Sequence, residues 1–87
     1  MKKTKDEIIE VILNTAEELG VFMDYDGEND FDMTLYFTDS VSFISYIVSL
    51  EEALEIEFPE DLLYIENYSS FNKIVDMIYE VMCWVYI

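Results

Sequence analysis

SVSFISYIVSLEEALEIE, residues 40–57, decides the fold, because it is the longest stretch whose apolar residues repeat with a helical period. Phe43, Ile47, Leu50 and Leu54 fall on one face, which stays apolar to the end and is the face expected to enter a core. Val41, Ile44 and Val48 fall on a second face that runs on into Glu51, Glu52 and Glu55. A helix on the surface of a small domain needs one apolar face. The second, apolar at its start and acidic at its end, has the character of a docking surface, with completion of the core as the alternative.

Outward from this helix the chain stays helical. Towards the N-terminus, TKDE at 4–7 reads as a capping box, and Ile8, Ile9, Ile12, Leu13, Ala16 and Leu19 then recur at helical spacing until Gly20 stops the run, giving a helix over about 5–19. Between the two helices, residues 20–39 mix acids with aromatics without a sustained period and form a long loop. DYDGENDFD, 24–32, invites a calcium reading. An EF-hand loop begun at Asp24 would put Asn29 at the turn glycine and Leu35 at the closing glutamate, so a solvated acidic loop is preferred and no metal site is expected. Towards the C-terminus, the second helix is expected over about 40–57, ahead of Pro59. EDLLYIEN supports a short helix at about 60–66, and Ser69 or Ser70 caps a last helix over about 70–85 carrying Phe71, Ile74, Val75, Ile78, Val81, Met82 and Val85. No strand-like alternation of any length occurs. The expectation is one all-α domain over 1–87, a bundle of three main helices and one short one.

Charge and composition narrow the function classes. Hydrophobic residues are 53% of the chain, too many for a disordered acidic tail, although the net charge is -16. Lys2, Lys3 and Lys5 hold most of the basic charge, so residues 6–87 carry 20 acids against Lys73 alone, a net of -19. Such a field repels nucleic acid and anionic membrane and attracts cations or proteins with basic patches. With no histidine and a single cysteine, Ser-His and Cys-His pairs, a Cys/His zinc site and an internal disulfide are closed. No apolar run approaches a membrane span, and Asp6, Glu7 and Glu10 interrupt any signal-peptide core, so a cytoplasmic, monomeric binding protein without catalytic activity is expected. Cys83, in the apolar run VMCWVYI, has no nearby base or cation to activate it and reads as an inert core residue. The run itself is expected to extend the last helix over the core, with Trp84 and Tyr86 as partial cover; Met23, Met33, Met77 and Met82 read as gap-filling core.

YFTDSVSFI, 36–44, marks the junction of loop and second helix. Asp39 and Ser40 are both good N-cap residues, and a cap is all the local sequence requires. The longer series adds to this. Asp39-Ser40-Val41 opens the helix, Leu50-Glu51 follows, then Phe58-Pro59, then Ser69-Ser70 before Phe71. This order resembles the phosphopantetheine-binding carrier proteins, the acyl and peptidyl carrier family, in detail over about half of the chain. The match departs at Phe37, where the family commonly has a small residue, often glycine, and at Val41, where it usually has leucine.

The resemblance implies a small four-helix bundle of the acyl-carrier-protein type. It also implies that a transferase attaches 4'-phosphopantetheine from coenzyme A to the Ser40 hydroxyl, and that the terminal thiol then carries an acyl, aminoacyl or peptidyl group as a thioester. On this reading Asp39 caps the helix and contacts the transferase, while the N-terminal amides and dipole of the helix receive the phosphate. Val41, Ile44, Val48, Glu51, Glu52 and Glu55 become the surface read by the transferase, an acyl- or aminoacyl-activating ligase, and downstream biosynthetic enzymes with basic docking patches. An acyl cargo in a specialised pathway is expected first, a nonribosomal-peptide type of cargo second. An acidic helical adaptor that is never modified is the alternative from another class.

Overall fold

The computed structural model describes residues 4–85. Helices α1 (Lys5–Glu18), α2 (Ser40–Leu54) and α3 (Phe71–Val85) are joined by loops that contain short 3-10 turns at Met33–Tyr36, Glu60–Leu63 and Ile65–Ser69, and no strand occurs among the described residues. The radius of gyration is 12.0 Å, equal to the roughly 12 Å expected of a compact chain of this length. The domain is thus a small helical bundle, with α1 packed on both α2 and α3.

α1 begins with the capping box expected of TKDE. The Thr4 hydroxyl accepts the Glu7 amide at 3.2 Å, and the Glu7 carboxylate accepts the Thr4 amide at 3.0 Å. It ends in a Schellman motif: Val21 donates to the Ala16 carbonyl, Gly20 donates to that of Glu17, and Gly20 takes φ +82, a left-handed conformation that costs glycine nothing. Ile8, Ile12 and Ala16 are buried along its inner face. At its start, Lys5 reaches Asp76 of α3 at 2.7 Å and lies 5.4 Å from the centre of the Tyr79 ring.

α2 buries the stripe Phe43, Ile47, Leu50 and Leu54 as expected, and Tyr46 with it. The Tyr46 hydroxyl donates to the Ile12 carbonyl at 2.9 Å, which satisfies a polar group deep in the core. Burial pushes the Tyr46 phenol well above its ordinary pKa, as it does that of Tyr68, whose hydroxyl donates to the Leu62 carbonyl at 2.7 Å.

The end of α2 differs from the expected 57. The helix stops at Leu54, because Glu55 turns left-handed at φ 58 and closes a second Schellman motif, with Ile56 donating to the Glu51 carbonyl. The reason lies in burial. Two residues beyond Leu54, Ile56 would leave the core face of a continued helix, whereas the turn buries both Ile56 and Phe58. A carboxylate oxygen of Glu51 then accepts the Phe58 amide at 3.0 Å and holds the turn from inside.

The short helix expected at 60–66 is instead two 3-10 turns, separated at Tyr64, whose extended backbone lets Leu62 and Tyr68 both reach the core. The Asn67 side-chain amide donates to the Asp61 carbonyl at 2.6 Å and ties the two turns together. Ser70, of the two serines considered, caps α3: its hydroxyl accepts the Lys73 amide at 3.2 Å. The long loop is more ordered than its composition indicated. Phe31 stacks on Phe71 at 4.8 Å, Tyr25 lies 4.5 Å from Phe71, and the Phe31 carbonyl accepts the Phe71 amide.

Of the methionines assigned to the core, Met33 and Met82 are fully buried and Met23 and Met77 pack at its edge. Cys83 is free and half-buried. The expectations for Lys2, Lys3, Tyr86 and the Trp84 side chain lie outside the described residues. No helix of the described residues is long and apolar enough to cross a membrane.

Candidate functional site

The start of α2 is set by Asp39, which sits in extended conformation at φ -152 and whose carboxylate accepts the Ser42 amide at 2.7 Å. That bond, with help from the Ser42 hydroxyl and the Val41 amide, holds the Asp39 carboxyl below its ordinary pKa. Asp39 is therefore the cap, and Ser40 is the first helical residue rather than a competitor for that role. The Ser40 side chain is exposed and takes no hydrogen bond among the described residues, leaving its hydroxyl open to solvent.

The capping geometry modifies one expectation. Two of the leading amides of α2 are already engaged by Asp39: that of Ser42 donates to its carboxylate at 2.7 Å and that of Phe43 to its carbonyl at 3.3 Å. A phosphate on Ser40 would meet the positive end of the helix dipole, with fewer open N–H groups in the first turn than an uncapped helix start presents.

Beneath Ser40 lies the residue that departs from the resembled pattern. Phe37 is only 9% exposed. Its ring meets Phe43 edge-on at 5.6 Å and Tyr46 at 5.2 Å, so it plugs the core immediately under the junction. The preceding 3-10 turn delivers it there, with Asp32 accepting the Thr34 amide at 2.9 Å as its cap.

A groove of about 400 Å³ runs from Ser40 between α2 and the 3-10 turns, with Phe43 and Ile44 on one wall and Leu63, Tyr64 and Ile65 on the other. The Tyr64 hydroxyl donates to the Glu60 carboxylate, an interaction that raises the phenol's pKa and fixes the ring at the rim. Leu63, Tyr64 and Ile65 were not singled out from sequence. They lie more than twenty positions from Ser40, and only the kink between the two 3-10 turns brings them beside it.

On α2, the second apolar face does not enter the core: Val41 is 75% exposed, Ile44 50% and Val48 48%. Glu52 and Glu55 are exposed beyond it. Glu51 differs from them, being half-buried with its carboxylate on the Phe58 amide, so the Leu-Glu and Phe-Pro elements of the sequence series are joined by one hydrogen bond.

The acidic loop shows where its carboxylates are used. Asp26 accepts the amides of Asn29 and Glu28 and the Asn29 side chain. Asp30 accepts the Asn72 amide and the Ser70 hydroxyl across the top of α3. These are turn and cap functions, and no group of three or more metal-ligating side chains forms among the described residues. No protein-family model and no curated protein matches the chain.

Proposed function

We propose that this protein is a carrier: a small helical bundle of the acyl-carrier type, loaded with 4'-phosphopantetheine on Ser40, that holds an acyl group as a thioester and presents it to partner enzymes. The observation that carries the reading is the division of labour at the α2 start. Asp39 supplies the cap, which frees an exposed serine hydroxyl at the positive end of a fifteen-residue helix, where a phosphodiester is favourably placed.

The surroundings support the same reading. A groove leads away from Ser40 along which a flexible prosthetic arm can lie, and the exposed Val41, Ile44 and Val48 adjoin it on α2. Glu52 and Glu55 continue that face with charge suited to a basic partner. Ser40 is on this view a substrate of the transferase. The transferase directs the Ser40 oxygen to the pyrophosphate phosphorus that bears the pantetheine arm of coenzyme A: the new O–P bond forms as the P–O–P bridge breaks, a base of the transferase takes the serine proton, and adenosine 3',5'-bisphosphate departs. Weak docking is sufficient thereafter, since the tether keeps the cargo at high effective concentration near a bound partner. An acyl cargo accords with the anionic surface; the uncharged start of α2 leaves an aminoacyl or peptidyl cargo as the second reading.

The test is mass spectrometry after incubation with coenzyme A and phosphopantetheinyl transferases of broad specificity. The protein should gain the mass of one phosphopantetheinyl group, and Ser40→Ala should gain none. A wild-type protein left unmodified by several such transferases would instead be an adaptor in which Asp39-Ser40 is a cap alone.

A further inference from the structure

A groove of about 470 Å³ lies between the first 3-10 turn after α2 and the outer side of α3, and it shares no lining residue with the groove beside Ser40. Met77 and Val81, one turn apart on α3, stand half-buried in its wall, and Pro59 and Leu62 complete an apolar bed. Ile74, Ile78 and Met82 fill the core side of the same helix, so Met77 and Val81 offer apolar surface that the core uses only in part. Glu57, Asp61 and Glu80 rim the bed; all three are exposed, and no lysine lines the groove. Their carboxylates accept no hydrogen bond and form no ion pair among the described residues, and Lys5, which lies near enough to Glu80 to feel its charge, is held by Asp76 at 2.7 Å. The three do not converge as the ligands of a metal ion would, since no group of three or more metal-ligating side chains forms among the described residues. Such a bed and rim match a positive group broader than an ion, carried on an apolar stem.

We infer that this groove seats an arginine side chain of a partner protein, in a segment with apolar residues on either side of it. The arginine stem lies along Met77 and Val81, and its charged head stays at the rim with the carboxylates. A guanidinium presents five donors in a planar fork and can serve carboxylates that stand apart, whereas a lysine concentrates its charge at one strongly hydrated point. A wholly apolar partner segment would cover the acids with no cation to match them. The peptide source also follows from charge. Free arginine brings its own carboxylate into the field of residues 6–87, whose net charge is -19, and is repelled; within a peptide that charge is gone. The site does not depend on modification of Ser40, and an arginine seated here leaves the Ser40 groove open.

The experiment is a titration of the full chain, labelled with nitrogen-15, with the blocked tripeptide acetyl-Leu-Arg-Leu-amide in about 150 mM sodium chloride, where loose attraction between exposed charges is screened. Amide shifts of Leu62, Met77, Glu80 and Val81 should move and saturate, while those of Ser40 and Ile44 stay in place. The same tripeptide with citrulline, a neutral replacement of nearly the same shape, and free L-arginine should each bind about fivefold or more weakly. Asp61→Asn and Glu80→Gln change exposed side chains with little change of shape, and each should weaken the arginine peptide about two- to fivefold. Circular dichroism melts of both variants show that the bundle is intact. Four results overturn the inference: no saturable shift, equal binding of the citrulline peptide or of free arginine, shifts centred instead on Glu52 and Glu55, or intact variants that bind as the wild type does. The carrier reading is judged separately, by the mass gained at Ser40.

Discussion

Phe37 shows how a single side chain can change the ground beneath a motif without touching its chemistry. Where the resembled family commonly places a small residue, this chain inserts a ring that contacts Phe43 and Tyr46. The junction therefore rests on packed aromatic surface, and the conformation of Asp39 and Ser40 is held from below as well as by the Ser42 amide. Phe37→Gly moves the local sequence towards the family pattern, yet it should destabilise the protein by about 3 kcal/mol or more, because it opens a cavity in the core and frees the unfolded backbone. Urea denaturation measures this directly. A loss below about 1 kcal/mol would mean that the ring is dispensable and that the junction is held by the cap alone. The sequence could not foretell the burial of Phe37, since its ring partners lie beyond the helix cap and a loop aromatic has no period to reveal its direction.

The helices divide into ends that local chemistry announces and ends that tertiary packing imposes. The capping box at Thr4, the glycine stop at Gly20 and the serine cap of α3 are legible because each is a contact within a few residues. The end of α2 is not, because no glycine or proline occurs between Ser40 and Phe58 and Glu55 is an ordinary helix former by propensity. Burial of Ile56 and Phe58 forces it into the left-handed region all the same. Two substitutions in this one turn should therefore act in opposite directions. Glu55→Gly relieves the left-handed strain at a position where glycine is the usual residue and should stabilise the protein by about 1 kcal/mol. Glu51→Ala strips the Phe58 amide of its acceptor at a half-buried site and should cost about 1–2 kcal/mol. Chemical denaturation of the pair decides the matter; equal and small effects from both would show that the turn is held by apolar burial alone. The same comparison separates the acids of the proposed docking face, where the second apolar face was legible from its spacing but the structural bond of Glu51 was not, its partner lying in the next turn of the chain.

The domain as a whole sets its charge against its caps. Residues 6–87 hold a net of -19 within a radius of gyration of 12.0 Å, and like charges confined so closely favour the expanded chain. Added salt screens that repulsion, so raising sodium chloride from about 20 to about 500 mM at neutral pH should raise Tm. Lowering the pH from about 7.5 to about 5 should raise it as well, since protonation reduces the net charge. A second effect opposes this at lower pH. Asp26, Asp30 and Asp39 have their pKa values lowered in the folded state, chiefly by the amides of Asn29, Asn72 and Ser42 respectively. A lowered folded pKa contributes stability that is complete above the unfolded value and disappears as the pH falls through the folded one. These three contributions are therefore intact across the range in which repulsion is relieved, and they fail only below the ordinary aspartate pKa of about 4. The expected profile of Tm against pH is a dome with its maximum between about 4 and 5 and a falling acid limb. Asp30→Asn removes the titrating group that accepts the Ser70 hydroxyl and the Asn72 amide, so it should lower the maximum and flatten the acid limb. Differential scanning calorimetry across that range, at low and high salt, tests both halves: a Tm that falls steadily from neutral pH to about 5, or that drops on adding salt, would show that net repulsion does not govern this fold.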